Sequence, residues 1–147
     1  MIETVDNNGM TALHWACHKG YGSVLTELVN ASANINSLTH NASTPLILAS
    51  SCGHIEIVSF LLNCSSQKGF VSITMSQMYN ALFCISSIVD INAGDRDGKT
   101  ALIWACSCGF SSIATLLLNF GANVELKDIS LYSALLWAAS RGLTHRS

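Results

Sequence analysis

The chain has 147 residues, half of them apolar and only 11% charged, with a formal net charge of −2. The apolar share excludes a wholly disordered polypeptide, and the near-neutral balance argues against a nucleic-acid binder, which needs clustered Lys and Arg. One proline and ten glycines exclude collagen-like and Pro-rich chains.

The N-terminal run Met1-Ile2-Glu3-Thr4-Val5-Asp6 has neither the basic nor the apolar stretch of a secretory signal. The expectation is a cytoplasmic protein whose cysteines (Cys17, Cys52, Cys64, Cys84, Cys106, Cys108) are reduced thiols.

A turn at Asp6-Asn7-Asn8-Gly9 precedes Thr11-Ala12-Leu13-His14. Thr11 reads as a hydroxyl N-cap, and Leu13, Ala16 and Cys17 fall at i, i+3 and i+4 on one helix face. Gly20 suits the left-handed residue that closes a short helix. A second helix carries Val24, Leu25, Leu28 and Val29, and Asn34-Ile35-Asn36 ends the unit. The pattern restarts 33 residues after Thr11 at Thr44-Pro45-Leu46-Ile47, with Pro45 at the first helical position, where a missing N–H costs nothing. Gly53 closes that helix, and Ile57, Val58, Leu61 and Leu62 follow on the next. It restarts again at Thr100-Ala101-Leu102-Ile103 and, 33 residues later, at Ser133-Ala134-Leu135-Leu136. Gly109 and Gly142 take the place of Gly20, while Ile113, Ala114, Leu117 and Leu118 repeat the second helix. One such unit cannot bury its apolar face alone, but stacked neighbours can. The pattern therefore predicts an all-α solenoid with units at about 6–38, 39–94, 95–127 and a partial 128–147.

The step from Thr44 to Thr100 is 56 residues, 23 more than the period, and the excess lies in an insertion at 65–89. Residues 69–89 carry no Asp, Glu, Lys or Arg. A membrane span is a poor fit, because Ser72, Thr74, Ser76, Gln77, Asn80, Ser86 and Ser87 interrupt it. Met75, Met78, Leu82, Ile85 and Val89 follow helical spacing, which predicts an amphipathic helix that packs on the solenoid or binds a partner. A retained intron translated in frame fits equally, since removing the segment restores the period. At the ends, Met1-Ile2-Glu3 stands in register with Asn34-Ile35-Asn36, and Leu143 to Ser147 follow a first helix. The expectation is a window from a longer array.

Catalytic constellations are weak. The acids sit mostly in turns, and no Gly-rich phosphate loop or Gly-x-Ser-x-Gly occurs. His14, Cys17 and His18 share a helix face, but structural zinc needs four convergent ligands. Cys106 and Cys108 lie about 200° apart around a helix. Asp95-Arg96-Asp97-Gly98 lacks the Gly and Glu that a calcium loop needs at its sixth and twelfth positions. No catalytic residue, metal or cofactor is expected.

With its 33-residue period, its Thr-Pro-Leu-His-like tetrapeptides, its glycines and its Leu-Leu pairs, the sequence resembles the ankyrin repeat over residues 1–64 and 90–142. The tip glycine of the turns becomes Ala42 and Leu131 in two units, and distorted tips are expected there. The resemblance implies that His14 braces its turn by hydrogen bonds. More narrowly, Trp104-Ala105-Cys106, Leu131-Tyr132-Ser133 and Trp137 to Gly142 resemble the ankyrin region of kinase D-interacting, ankyrin-rich membrane-spanning scaffold proteins.

The family resemblance implies partner contacts at the turn tips and the exposed side of the first helices. In this chain those positions are Asn7, Asn8, Met10, His18, Lys19, His40, Asn41, Ser43, Arg96, Asp97, Lys99, Ser107, Cys108, Ile129, Ser130, Tyr132 and Arg141, with Ser51 and Cys52 beside them. The implied function is non-catalytic protein–protein recognition through a concave face, as scaffold or adaptor. The partner is another protein, not nucleic acid, and no membrane insertion of this segment is expected even if the parent spans a membrane. Two alternatives stand: a regulatory segment of a larger enzyme or channel, and a truncated gene product without independent function.

Overall fold

The computed structural model describes residues 2–66 and 89–142. The insertion read at 65–89 therefore lies, apart from its edges, outside the described residues, and so does the choice among its three readings. Among the described residues there are seven helices and no strand: α1 Ala12–Lys19, α2 Gly22–Asn30, α3 Pro45–Cys52, α4 Ile55–Ser66, α5 Ala101–Cys108, α6 Ser111–Asn119 and α7 Ala134–Ser140. This is the expected all-α architecture.

The four hydroxyl caps act as the sequence predicts. Oγ1 of Thr11, Thr44 and Thr100 and Oγ of Ser133 accept from the backbone N–H three residues on, at 3.3, 3.1, 3.2 and 3.4 Å. Such a cap stabilises its helix by about 1 kcal/mol. At the other end Gly20, Gly53 and Gly109 are left-handed, with φ of 81°, 81° and 82°. Glycine is needed at the first two for a second reason. A Cβ would stand 2.8 Å from the His54 ring at Gly20 and 2.8 Å from the Phe110 ring at Gly53. The glycine thus both ends the helix and admits the next unit.

Helices α1, α3, α5 and α7 pack in sequence to form an inner row, while α2, α4 and α6 form the outer row behind it. Between the rows lies one continuous core of Leu13, Ala16, Cys17, Leu25, Leu46, Ala49, Val58, Leu61, Leu102, Ala105 and Leu117 with their neighbours. Each fully buried Leu is worth about 1.5–3 kcal/mol of transfer free energy. Equivalent positions differ where a neighbour is lacking among the described helices. Ile57 and Leu62 on α4 are buried from both sides, whereas Val24 on α2 is 46% exposed and Leu118 on α6 is 45% exposed. These two face opposite ends of the stack.

The stack runs across the insertion without a gap. Helix α3 packs directly on α5, Val89 is buried, and the Asp90 amide donates to Asn36 Oδ1 at 3.0 Å. The same tie recurs from Asn34 N to Glu3 Oε1 at 2.9 Å and from Asn123 N to Asn92 Oδ1 at 2.8 Å.

The expected distortion at the substituted tips does not occur. Ala42 and Leu131 take the glycine conformation, with φ of 59° and 65°. Their amides donate to Thr39 O and Asp128 O, both at 2.9 Å, as Gly9 and Gly98 donate to Asp6 O and Asp95 O at 3.0 and 2.9 Å. Packing holds the turn in shape, and the left-handed conformation costs about 1–2 kcal/mol at each non-glycine residue.

Candidate recognition surface

The turns are built around one acceptor each. Asp6 Oδ1 accepts from the amides of Asn8 and Met10 at 2.9 Å each. Asp95 Oδ1 accepts from Asp97 and Lys99 at 3.0 Å each, and Asp128 Oδ1 from Ser130 and Tyr132 at 2.9 and 3.0 Å. In the second turn Thr39 Oγ1 takes over, accepting from Asn41 and Ser43 at 3.2 and 3.1 Å.

The other carboxylate oxygen reaches the inner helix. Trp15, Trp104 and Trp137 donate Nε1–H to Asp6, Asp95 and Asp128 Oδ2 at 2.9, 2.9 and 2.8 Å. Position 48, which holds the same register in the second unit, is Leu, and Thr39 needs no such partner there. These tryptophans are absent from the contact residues expected from the sequence. Their signal is legible in hindsight: an Asp stands nine residues before each Trp.

Carboxyl acidity follows from this wiring. Burial alone would raise the Asp128 carboxyl, but the Trp137 indole, the Tyr132 and Ser130 amides and the Lys99 charge outweigh it and hold the group below the ordinary range. The bond from the Met10 amide, aided by Asn8 and Trp15, lowers Asp6 against its own desolvation.

Backbone bonds join consecutive tips. The amides of His40, Arg96 and Ile129 donate to the carbonyls of Asn8, Asn41 and Asp97 at 2.9, 3.0 and 2.8 Å. The four turns therefore form one strip, on which Asn7, Asn8, His40, Asn41, Arg96, Asp97, Ile129 and Ser130 are exposed. Met10 and Lys99 are half-buried beside it, and Tyr132 is exposed. Ser43, in the same register, is a correction: it is 7% exposed, because its short side chain does not clear the turn.

Lys99 is not a freely extended charge. Its Nζ stands 4.6 Å from the Trp104 ring centre and 4.8 Å from that of Trp137, and Tyr132 packs on Trp137 at 5.2 Å. At the far ends of the inner helices, Lys19 and Arg141 are exposed, while His18, Ser107 and Cys108 are half-buried.

His14 braces its turn as the family resemblance implies. Its Nδ1 accepts from the Thr11 amide at 3.0 Å, and its Nε2–H donates to Ser37 O at 2.9 Å. Burial lowers its pKa from 6.5, against the raising effect of the bonds to Ser37 and Ser43. Burial also pushes the Cys17 thiol up to about 12 and raises Cys106.

A largely apolar groove of about 820 Å³ opens along α5 and α7, lined by Leu102, Cys106, Leu118, Val124, Ala134 and Leu135 among others. Leu118 and Val124 hold the register of the buried Leu62 and Ile35. The groove thus lies at positions that, in the earlier units, are covered by the next unit. Among the described residues no three His, Cys, Asp or Glu side chains converge on one point, and no helix is long and apolar enough to cross a membrane.

A family model described as ankyrin repeats (three copies) matches residues 2–74 and 73–145. The palmitoyltransferase AKR1 of Lachancea kluyveri is 30% identical over 93% of this chain and 21% of its own length. The transient receptor potential cation channel subfamily A member 1 of Drosophila melanogaster is 27% identical over 97% of this chain and 13% of its own length. Neurogenic locus notch homolog protein 1 of Danio rerio is 31% identical over 84% of this chain and 4% of its own length. The chain thus spans about a fifth or less of these relatives.

Proposed function

The chain belongs to the ankyrin repeat family, and from that premise we propose that it is a non-catalytic recognition module that binds another protein along its strip of turn tips and the adjoining side of the inner helices. One observation carries the reading. Four consecutive tips, each presenting exposed side chains, are joined by main-chain hydrogen bonds into a continuous surface. Arg96 and Asp97 supply charge on it, and Tyr132 supplies an aromatic ring of a kind enriched in interfaces. The role is that of a scaffold or adaptor in the cytoplasm, as part of a larger protein.

A second reading makes the chain a regulatory segment of an enzyme or channel. The likeness to a palmitoyltransferase and a cation channel, of which it spans 21% and 13%, favours it. The full-length transcript separates the two, since it shows whether a catalytic or pore-forming domain accompanies the repeats.

The recognition surface is tested by replacing Arg96, Asp97 and Tyr132 together with alanine. Capture of partner proteins from cell extract is expected to fall while the far-UV circular dichroism stays unchanged. Undiminished capture would remove this face from consideration.

A further inference from the structure

Cys52, in the last turn of α3, has its Sγ 3.2 Å from Nδ1 of His18, in the last turn of α1. His18 is held in place on two sides. His54 Nε2–H donates to its carbonyl at 2.9 Å, and the Trp15 ring meets its imidazole edge-on at 5.8 Å. Both partners of the pair are half-buried, outside the fully buried core. No step described above uses the pair.

The solenoid supplies its own comparison. Cys108 stands at the same register on α5 and is also half-buried. Each thiol has a serine hydroxyl beside it, Ser51 at 3.9 Å from Cys52 and Ser107 at 4.0 Å from Cys108. The residue of the preceding unit in the register of His18 is, for Cys108, Ser51, whose hydroxyl donates back to Leu48 O at 3.1 Å. The two thiols share helix position and hydroxyl neighbour and differ in the imidazole.

We propose that Cys52 is a reversible thiol–disulfide exchange site, with His18 as its proton acceptor, for a small-molecule disulfide of the oxidised-glutathione kind. The thiol proton passes from Sγ to Nδ1 of His18, which requires the tautomer protonated at Nε2. The thiolate attacks one sulfur of the disulfide. A Cys52–sulfur bond forms as the original S–S bond breaks. The departing thiolate takes the proton from His18 and leaves as a thiol. Cys52 is oxidised, the departing half is reduced, and no other oxidant enters. The product adds a charged peptide at the C-terminal end of α3, at the position whose register equivalents on the flanking inner helices are Lys19 and Cys108. That this would obstruct partner binding rests on the proposed recognition face, whereas the exchange chemistry does not.

The test exposes the native chain to oxidised glutathione, quenches at intervals with N-ethylmaleimide, and follows each cysteine separately by peptide mass spectrometry. Cys52 is expected to form the mixed disulfide about tenfold faster than Cys108, a modest share of what a positioned proton acceptor contributes. His18→Ser, which gives Cys52 the neighbours of Cys108, should bring its rate down to that of Cys108 and leave Cys108 unchanged. Equal rates in the unsubstituted chain would overturn the proposal without reference to any variant. So would an unchanged Cys52 rate in a folded His18→Ser chain.

Discussion

The Lys99 ammonium lies between the Trp104 and Trp137 rings, 4.6 Å from one centre and 4.8 Å from the other, so a single cation bridges the inner helices of two successive units. Lys99→Met keeps the apolar stem and removes the charge. We expect it to lower the stability measured by urea unfolding by about 0.5–1 kcal/mol for each half-exposed ring contact, whereas Lys99→Arg should retain most of it.

The indole–carboxylate bond from Trp104 to Asp95 gives a second prediction. Trp104→Phe keeps much of the packing and leaves Asp95, which is 6% exposed, with one bond fewer. A hydrogen bond to a charged group contributes about 1.5–3 kcal/mol, and a loss near the lower end should appear as a reduced denaturation midpoint. Leu48→Phe, in the same register but without a carboxylate opposite, should not show this loss.

The sequence made the frame of the molecule readable because its signals are local. A hydroxyl cap, an i, i+3, i+4 apolar face and a closing glycine each act within one helix, and Thr11, Leu13, Ala16, Cys17 and Gly20 all behave as their spacing implies. The recognition strip was only partly readable. Ser43 shares its register with Met10, Lys99 and Tyr132, yet it is buried, because register alone carries no side-chain length. The clamp on Lys99 and the meeting of His18 with Cys52 depend on two units coming together, which no single-unit pattern contains. The tips at Ala42 and Leu131 depart from the expected distortion for the opposite reason. Local preference opposes their conformation, and contacts with the neighbouring turns override it.

Those two tips store removable strain. Leu131→Gly and Ala42→Gly relieve a left-handed non-glycine residue worth about 1–2 kcal/mol and give back part of it as chain entropy. A net gain of about 0.5–1 kcal/mol each is expected, seen as a higher thermal midpoint.

Ser50 is fully buried, and among the described residues its hydroxyl finds no hydrogen-bond partner. Its register equivalents are Cys17 and Cys106. Ser50→Ala or Ser50→Cys should therefore raise stability, by about 1 kcal/mol if the full desolvation penalty is relieved. A loss of stability on calorimetry would contradict the assignment.

The pH dependence has a definite sign. Burial lowers the His14 pKa from 6.5, so between the folded and unfolded values the unfolded chain holds a proton that the folded chain does not. Stability should then fall as pH drops below about 6.5 and level off beneath the folded value. Asp128 is lowered as well, so its contribution is present above the usual carboxylate range and is lost on further acidification. Unfolding free energies measured from pH 7 to 3 should show both steps, and His14→Gln should erase the first.

The main-chain links from Asn8 to His40, Asn41 to Arg96 and Asp97 to Ile129 have a consequence for affinity. Turns that fluctuated independently would each lose freedom when a partner settled on them. Tied together, they have surrendered that freedom during folding, and the partner meets a surface with little left to immobilise. A substitution that loosens one link would then weaken binding through entropy, in addition to any contact its side chain makes.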